Sequence, residues 1–243
     1  MERAVADTPV AILCGGRGTR LQERTRELPK PLVEIGGRPI VWHVIRIYAA
    51  HGFRRFLLLT GYKGELVAEF AAAETWPPGV EVRCLDTGRD TPTGGRVQRA
   101  APQLGAGTAC VTYADGVADV DLHALLAFHR GHGGAATVTV VRPELPFGVT
   151  DLDGDGRVKG FREKPRSPQW VNGGFLVLEP AARRELRPDS VLERGPLERL
   201  AARGELFAFR HEGFWDCMDT YKDAVLLDDL WSAGRAPWRL WAA

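Results

Sequence analysis

No apolar run in these 243 residues approaches the ~20 needed to span a bilayer. The charged opening from Met1 to Pro9 lacks the apolar core of a secretion signal. Both absences direct the chain to the cytoplasm and away from the membrane. Cysteine is sparse: Cys14, Cys84, Cys110 and Cys217 form no CxxC pair and no Cys/His spacing suited to zinc. They read as reduced thiols. Excess charge is missing too, since a formal net charge of +1 supplies no broad basic surface for nucleic acid. Lysine is rare, with 5 residues against 27 arginines, so a position that keeps one draws notice.

What is present suits one medium α/β domain. Hydrophobic residues make up 44% and charged residues 26%, ordinary for a globular chain able to bury a core without disulfide or metal staples. Short apolar runs predict strands at Val10–Cys14, Arg55–Thr60, Val80–Asp86, Thr108–Tyr113 and Ala135–Val141. Helical spacing predicts helices at Pro39–Ala50, Gly64–Glu74 and Leu122–Arg130, the first stopped by Gly52. Thr87–Arg96, rich in Gly, Thr and Pro, reads as a loop. This alternation predicts a mostly parallel sheet covered by helices. Beyond Pro143 the pattern changes to a hairpin at Gly148–Phe161, a strand at Val171–Leu178, and helices at Leu197–Arg203 and Tyr221–Trp231. No repeat or low-complexity linker divides the chain.

The first strand runs into Gly15-Gly16-Arg17-Gly18-Thr19-Arg20. Glycines allow a tight turn and a close backbone approach to a ligand, and successive N–H groups can form a nest for phosphate oxygens. Arg20 adds a bidentate donor. A plain tight turn is the rival reading; the G-x-G-x-x-G spacing of a dinucleotide fold is not met. Pro29 and Pro31 then clamp Lys30, which preorganises its ammonium for charge developing on a phosphate. Asp115 follows an apolar strand, where a carboxylate can hold Mg²⁺, although a turn or cap aspartate is the plainer alternative. Asp119 and Asp121 read as loop and helix-cap residues. Asp151–Gly156 suggests a calcium loop only faintly, because Arg162 stands at the twelfth position where glutamate is required. His129 and His132, near a helix end, read as solvated or dipole-facing. Trp231, Trp238 and Trp241 read as packing residues.

The glycine loop, Lys30-Pro31 and Gly37-Arg38-Pro39 together resemble the N-terminal signature of sugar-1-phosphate nucleotidyltransferases. Thr93-Gly94-Gly95-Arg96, Tyr113–Asp119, Glu163-Lys164-Pro165, Asn172-Gly173-Gly174-Phe175, Gly213-Phe214-Trp215 and Met218-Asp219-Thr220 narrow the resemblance to glucose-1-phosphate cytidylyltransferases. It covers nearly the whole chain in order. It implies a Rossmann-like α/β fold with a mixed central sheet. A single domain of residues 1–243 is expected, with a nucleotide-binding half to about residue 142 and a sugar-phosphate half from about 143.

The resemblance also implies roles. Lys30, Arg20 and Asp115 would be catalytic. Gly15, Gly16, Gly18, Thr19, Thr93, Gly94, Gly95 and Arg96 would hold the nucleotide, with Arg96 able to read the base. Glu163, Lys164, Asn172 and Gly173 would hold the sugar phosphate, and Asp115 and Asp219 would bind Mg²⁺. The implied partners are an NTP, with CTP favoured, and a sugar 1-phosphate; a homo-oligomer, with a dimer favoured, is implied as well. Other nucleotides, a modified sugar or cyclitol phosphate, or a non-catalytic nucleotide-binding subunit are the alternatives. Three departures stand out: Cys14 replaces the usual alanine, Tyr221 an arginine, and the Tyr62–Asp86 segment is short.

Overall fold

A computed structural model describes residues 5–16, 18 and 28–241. Thr19 and Arg20, both assigned to the phosphates, lie outside the described residues.

Strand β1 (Pro9–Leu13) is apolar and buried at every position. A 3-10 turn at Lys30–Leu32 leads to the small ribbon β2 (Glu34–Ile35) and β3 (Arg38–Pro39), then helix α1 (Ile40–Ala50). Next come β4 (Arg55–Thr60), α2 (Gly64–Ala73), β5 (Glu81–Asp86), α3 (Thr93–Leu104), β6 (Ala109–Tyr113), β7 (Gly116–Ala118), α4 (Leu122–His132) and β8 (Ala136–Val141). The rest holds β9 (Val149–Leu152), β10 (Val158–Arg162), β11 (Val171–Asn172), β12 (Leu176–Leu178), α5 (Pro180–Arg184), α6 (Pro196–Ala202), β13 (Leu206–Arg210), β14 (Trp215–Cys217) and α7 (Tyr221–Ser232).

In the central sheet β5, β4, β1 and β6 are neighbours and parallel. β12 runs antiparallel between β6 and β8, and β13 pairs parallel with β8. The sheet is therefore mixed, as expected, and strands from both ends of the chain share it. Side chains alternate along β1. Val10, Ile12 and Cys14 join a core with α1, α4 and α7, while Ala11 and Leu13 join a second core with α3, α5 and α6. Helices on both faces follow from that alternation.

Four expectations change. Thr93–Leu104 is a helix, although Thr87–Arg96 reads as loop. Gly94 and Gly95 lower helix propensity, but they let the first turn press against the 188–192 segment, and Gly95 N–H donates to Ser190 O at 3.0 Å. The single strand predicted over Val171–Leu178 breaks at Gly173–Phe175, where Phe175 takes a left-handed φ of 45°. Both pieces still pair with β8. His129 is buried rather than solvated, its ring nitrogens at 2.8 Å from Thr137 Oγ1 and 3.1 Å from Glu179. His132 bonds the same Thr137 hydroxyl at 2.6 Å and stacks on Phe207. Asp121 does cap α4, accepting from the His123 and Ala124 N–H groups. Asp153 closes the hairpin turn by accepting from the Asp155 and Arg157 N–H groups.

The C-terminal tail docks through α1. Trp238 is fully buried, and its indole N–H donates to His43 Nδ1 at 3.3 Å. His43 Nε2 must then carry the proton and donate to Ile35 O at 2.9 Å. Burial pushes the His43 pKa down to about 4, the Ile35 bond only partly offsetting it. A folded pKa below the unfolded one means stability is complete above about pH 6.5 and lost as pH falls toward 4. Protonated His43 would also turn a second N–H toward the Trp238 donor. Acidification from pH 7 to 4 is expected to remove on the order of 3 kcal/mol through this residue. Urea unfolding followed by tryptophan fluorescence checks it: His43→Gln should flatten the slope over that window, and an unchanged slope would contradict the assignment.

Candidate active site

Three residues far apart in sequence meet beyond the C-terminal edge of the parallel strands, where open α/β sheets place their ligands. Asp115 occupies the turn between β6 and β7. β14 pairs antiparallel with β7, placing Cys217 opposite Gly116, and Met218 N–H donates to Asp115 O at 2.9 Å. That register puts Asp219 beside Asp115. Its backbone is fixed by the start of α7: Asp223 accepts from the Asp219 and Thr220 N–H groups, and Thr220 Oγ1 accepts from Asp223 N–H in a capping box. Lys30 opens the 3-10 turn between Pro29 and Pro31, so both prolines set the direction of its side chain.

Lys30 Nζ lies 2.5 Å from Asp115 Oδ2 and 2.7 Å from Asp219 Oδ1. Its side chain is 13% exposed, against 26% and 36% for the two carboxylates. Burial opposes the ammonium charge, but Asp115 and then Asp219 outweigh it and raise the lysine pKa. Lys30 is therefore a fixed cation at neutral pH. The same enclosure pushes the nearby Cys217 thiol up to about 12, so it supplies no thiolate.

The donor set fits a magnesium ion. Two carboxylates converge, and the Lys30 ammonium stands between them as a cation already does. Mg²⁺ is usually held by one or two carboxylates, with water and substrate phosphate completing its shell. Among the described residues no group of three or more His, Cys, Asp or Glu could hold a metal, which excludes an all-protein cage there.

Beside this cluster opens a cleft of ≈ 260 Å³. Gly15, Gly16, Gly18, Lys30, Thr93, Arg96, Tyr113 and Asp115 are among the residues that line it. Gly18 has a positive φ of 60° and Gly16 is exposed, so both suit close approach to a ligand. Gly15 is buried, and a Cβ there would overlap the Arg96 guanidinium. Arg96 Nη2 donates to Gly15 O at 2.9 Å and to Arg89 O at 3.2 Å. Its Nη1 serves Thr60 O, Thr87 Oγ1 and Gly88 O at 2.7–2.9 Å. Through these bonds Arg96 ties the ends of β1, β4 and β5 together while it lines the cleft. Gly94 and Gly95 are also framing residues, buried against Ser190 and Pro188 rather than lining the cleft. Thr93 alone of that quartet joins Arg96 in facing it.

On the sugar-phosphate side the grouping is looser. Glu163 and Lys164 follow β10, both exposed, and Lys164 holds a left-handed φ of 44°. Neither lines the cleft. Asn172 is linked to it, since Asn172 Nδ2 donates to Tyr113 Oη at 3.1 Å. Gly173 is buried, and its carbonyl accepts from Trp215 Nε1 at 2.8 Å. Two residues given no role by sequence reasoning now matter. Tyr113 was legible as the residue ending β6. Glu193 carries no local signal: it lies in a turn before α6 and meets the cleft residues Tyr113 and Thr93 only through the fold.

Gly95→Ala tests the framing account. Alanine is the better helix former by about 1 kcal/mol, but its Cβ would overlap the Pro188 carbonyl. Steric conflict with backbone should win, lowering stability by about 2 kcal/mol. A chemical denaturation midpoint at or above wild type would contradict it.

Comparison with known proteins shows the family and the fold. A model of the nucleotidyl transferase family matches residues 10–199. The glucose-1-phosphate cytidylyltransferase of Salmonella typhi is 41% identical, covering 95% of this chain and 98% of its own. A probable glucose-1-phosphate cytidylyltransferase of Bacillus subtilis is 39% identical with the same coverage. The crystal structure of HddC from Yersinia pseudotuberculosis superposes with a TM-score of 0.73 at 21% identity, over 92% of this chain and 99% of that one, and shares the fold. Matched over most of its length by sequence and over nearly all of it by fold, this chain belongs to the nucleotidyl transferase family.

Proposed function

We propose that the chain transfers the cytidylyl group of CTP to α-D-glucose 1-phosphate, giving CDP-glucose and pyrophosphate. The observation that carries this reading is the convergence of Lys30, Asp115 and Asp219 on a glycine-lined cleft. The near full-length likeness to glucose-1-phosphate cytidylyltransferases supports the choice of substrates. The thiols Cys14, Cys84, Cys110 and Cys217 are unpaired, and no helix among the described residues is long and apolar enough to cross a membrane. Both suit a cytoplasmic enzyme.

In the reaction an oxygen of the sugar phosphate attacks the α-phosphorus of CTP. That O–P bond forms, the bond from the α-phosphorus to the bridging oxygen breaks, and pyrophosphate leaves with its electron pair. The attacking oxygen is already anionic near neutral pH, so no strong base is needed. Alignment and charge neutralisation supply the catalysis. Backbone at Gly16 and Gly18 comes close to the triphosphate, with Arg20 adding a charged donor. Lys30 faces charge that grows as pyrophosphate departs, and its two carboxylate partners hold it in place. A Mg²⁺ held by Asp115 and Asp219 would neutralise charge on the reacting phosphates. Glu163 and Asn172 contact sugar hydroxyls, and Lys164 the sugar phosphate.

Asp115→Ala and Asp219→Ala should each slow turnover about 10³-fold, some 4 kcal/mol of transition-state stabilisation. Lys30→Ala should lower kcat, since it acts on charge developed in the transition state, whereas Lys164→Ala should chiefly raise KM for the sugar phosphate. Steady-state kinetics with each substrate varied would show this split; the reverse pattern would exchange the two roles.

Substrate choice is tested by competition. With equal CTP, UTP, dTTP and ATP against glucose 1-phosphate, the product should be chiefly CDP-glucose. Buried polar partners for one base leave another base's groups unpaired, so discrimination should be large. Predominance of another NDP-sugar would refute the base assignment and leave the reaction class standing.

A further inference from the structure

Glu193 sits in the connection between α5 and α6, remote in sequence from every motif above. Its carboxylate nevertheless accepts two hydrogen bonds from residues of the cleft wall, Tyr113 Oη at 2.5 Å and Thr93 Oγ1 at 2.8 Å. The proton directions can be worked out. Thr93 Oγ1 already accepts from Leu192 N–H at 2.8 Å, so its own proton goes to Glu193. Asn172 Oδ1 accepts from Gly174 N–H at 2.9 Å, which fixes the other end of that amide as nitrogen. Asn172 Nδ2 then donates to Tyr113 Oη, so the tyrosine proton also goes to Glu193.

Each link in this relay has one direction only. Glu193 must accept at both of its oxygens, which a carboxylate does and an amide, with a donor nitrogen at one of the two positions, does not. Tyr113 must both donate and accept, which phenylalanine cannot do. At the outer end Asn172 is exposed, its amide plane set by Tyr113 on one side and Gly174 on the other.

We propose that Glu193 is a positioning residue for the sugar phosphate: anchored by Thr93, it acts through Tyr113 to hold the Asn172 amide in the orientation that meets a sugar hydroxyl. This rests on the reading of Asn172 as a sugar contact. Glu193 itself touches no substrate. Its effect is on recognition of the sugar half, because a wrongly turned amide would offer an acceptor where a donor is needed.

The test uses Glu193→Gln, Tyr113→Phe, Asn172→Ala and the double variant Glu193→Gln/Tyr113→Phe in the full-length enzyme. Each is assayed with CTP and glucose 1-phosphate varied separately, alongside a urea unfolding midpoint. For Glu193→Gln the expected result is about a tenfold or greater rise in KM for glucose 1-phosphate, with kcat and the KM for CTP changed less than about threefold. The double variant should be no worse than the poorer single variant, because both cut the same relay. Multiplying losses would overturn the relay. An equal loss for both substrates, or one that follows a lowered unfolding midpoint, would make Glu193 a structural brace and overturn the proposal. If wild type prefers another nucleotide or sugar 1-phosphate, the same variants are measured with that pair. A wrong substrate assignment then shows in wild type, and a wrong role for Glu193 shows in the variants. A wild type inactive on every pair would overturn both.

Discussion

The ion cluster of Lys30 with Asp115 and Asp219 is the contact around which the site is built. Two carboxylates held side by side repel each other, and the Lys30 ammonium between them offsets that repulsion where the β6–β7 turn meets the start of α7. The ammonium also closes the fold, joining the segment after β1 to the turn at β6 and to the last helix. Removing one partner from a half-buried cluster leaves the others uncompensated, so on the proposed function stability and catalysis would depend on the same atoms. The backbone supports this geometry from outside: β7 pairs with β14, a capping box starts α7, and prolines stand on both sides of Lys30.

The glycines fall into two kinds. Gly16 and Gly18 line the cleft, and among the described residues no side chain comes within 4 Å of where a Cβ on Gly16 would stand. Gly15, Gly94 and Gly95 instead leave room for the protein's own atoms, the Arg96 guanidinium in one case and the 188–192 segment in the others. A sequence shows both kinds as the same letter. This is why Thr93-Gly94-Gly95-Arg96 reads as loop although it opens a helix. Helix propensity argued against a helix there, and long-range packing decided otherwise.

Much of the rest was readable for physical reasons. Buried strands are short, apolar and bounded by turns, and β1, β4, β6 and β8 carry that mark, while the edge strand β5 alternates half-buried with exposed residues over most of its length. The grouping of Lys30 with Asp115 and Asp219 came through the resemblance, since nothing local ties residues 30, 115 and 219. Glu193, the break at Phe175 and the bonds of His129 and His132 to Thr137 escaped because each depends on partners outside its own element. Non-local pairing of polar groups leaves little trace in periodicity.

Lys30 occupying the space between the two carboxylates has a direct consequence for cation binding, independent of turnover. Mn²⁺ titration, followed by the loss of its free-ion electron paramagnetic resonance signal, measures it most plainly. The account predicts that Asp115→Asn and Asp219→Asn weaken Mn²⁺ binding, and that Lys30→Met tightens it by removing the competing ammonium. Mn²⁺ affinity unchanged in all three variants would contradict the account at its centre.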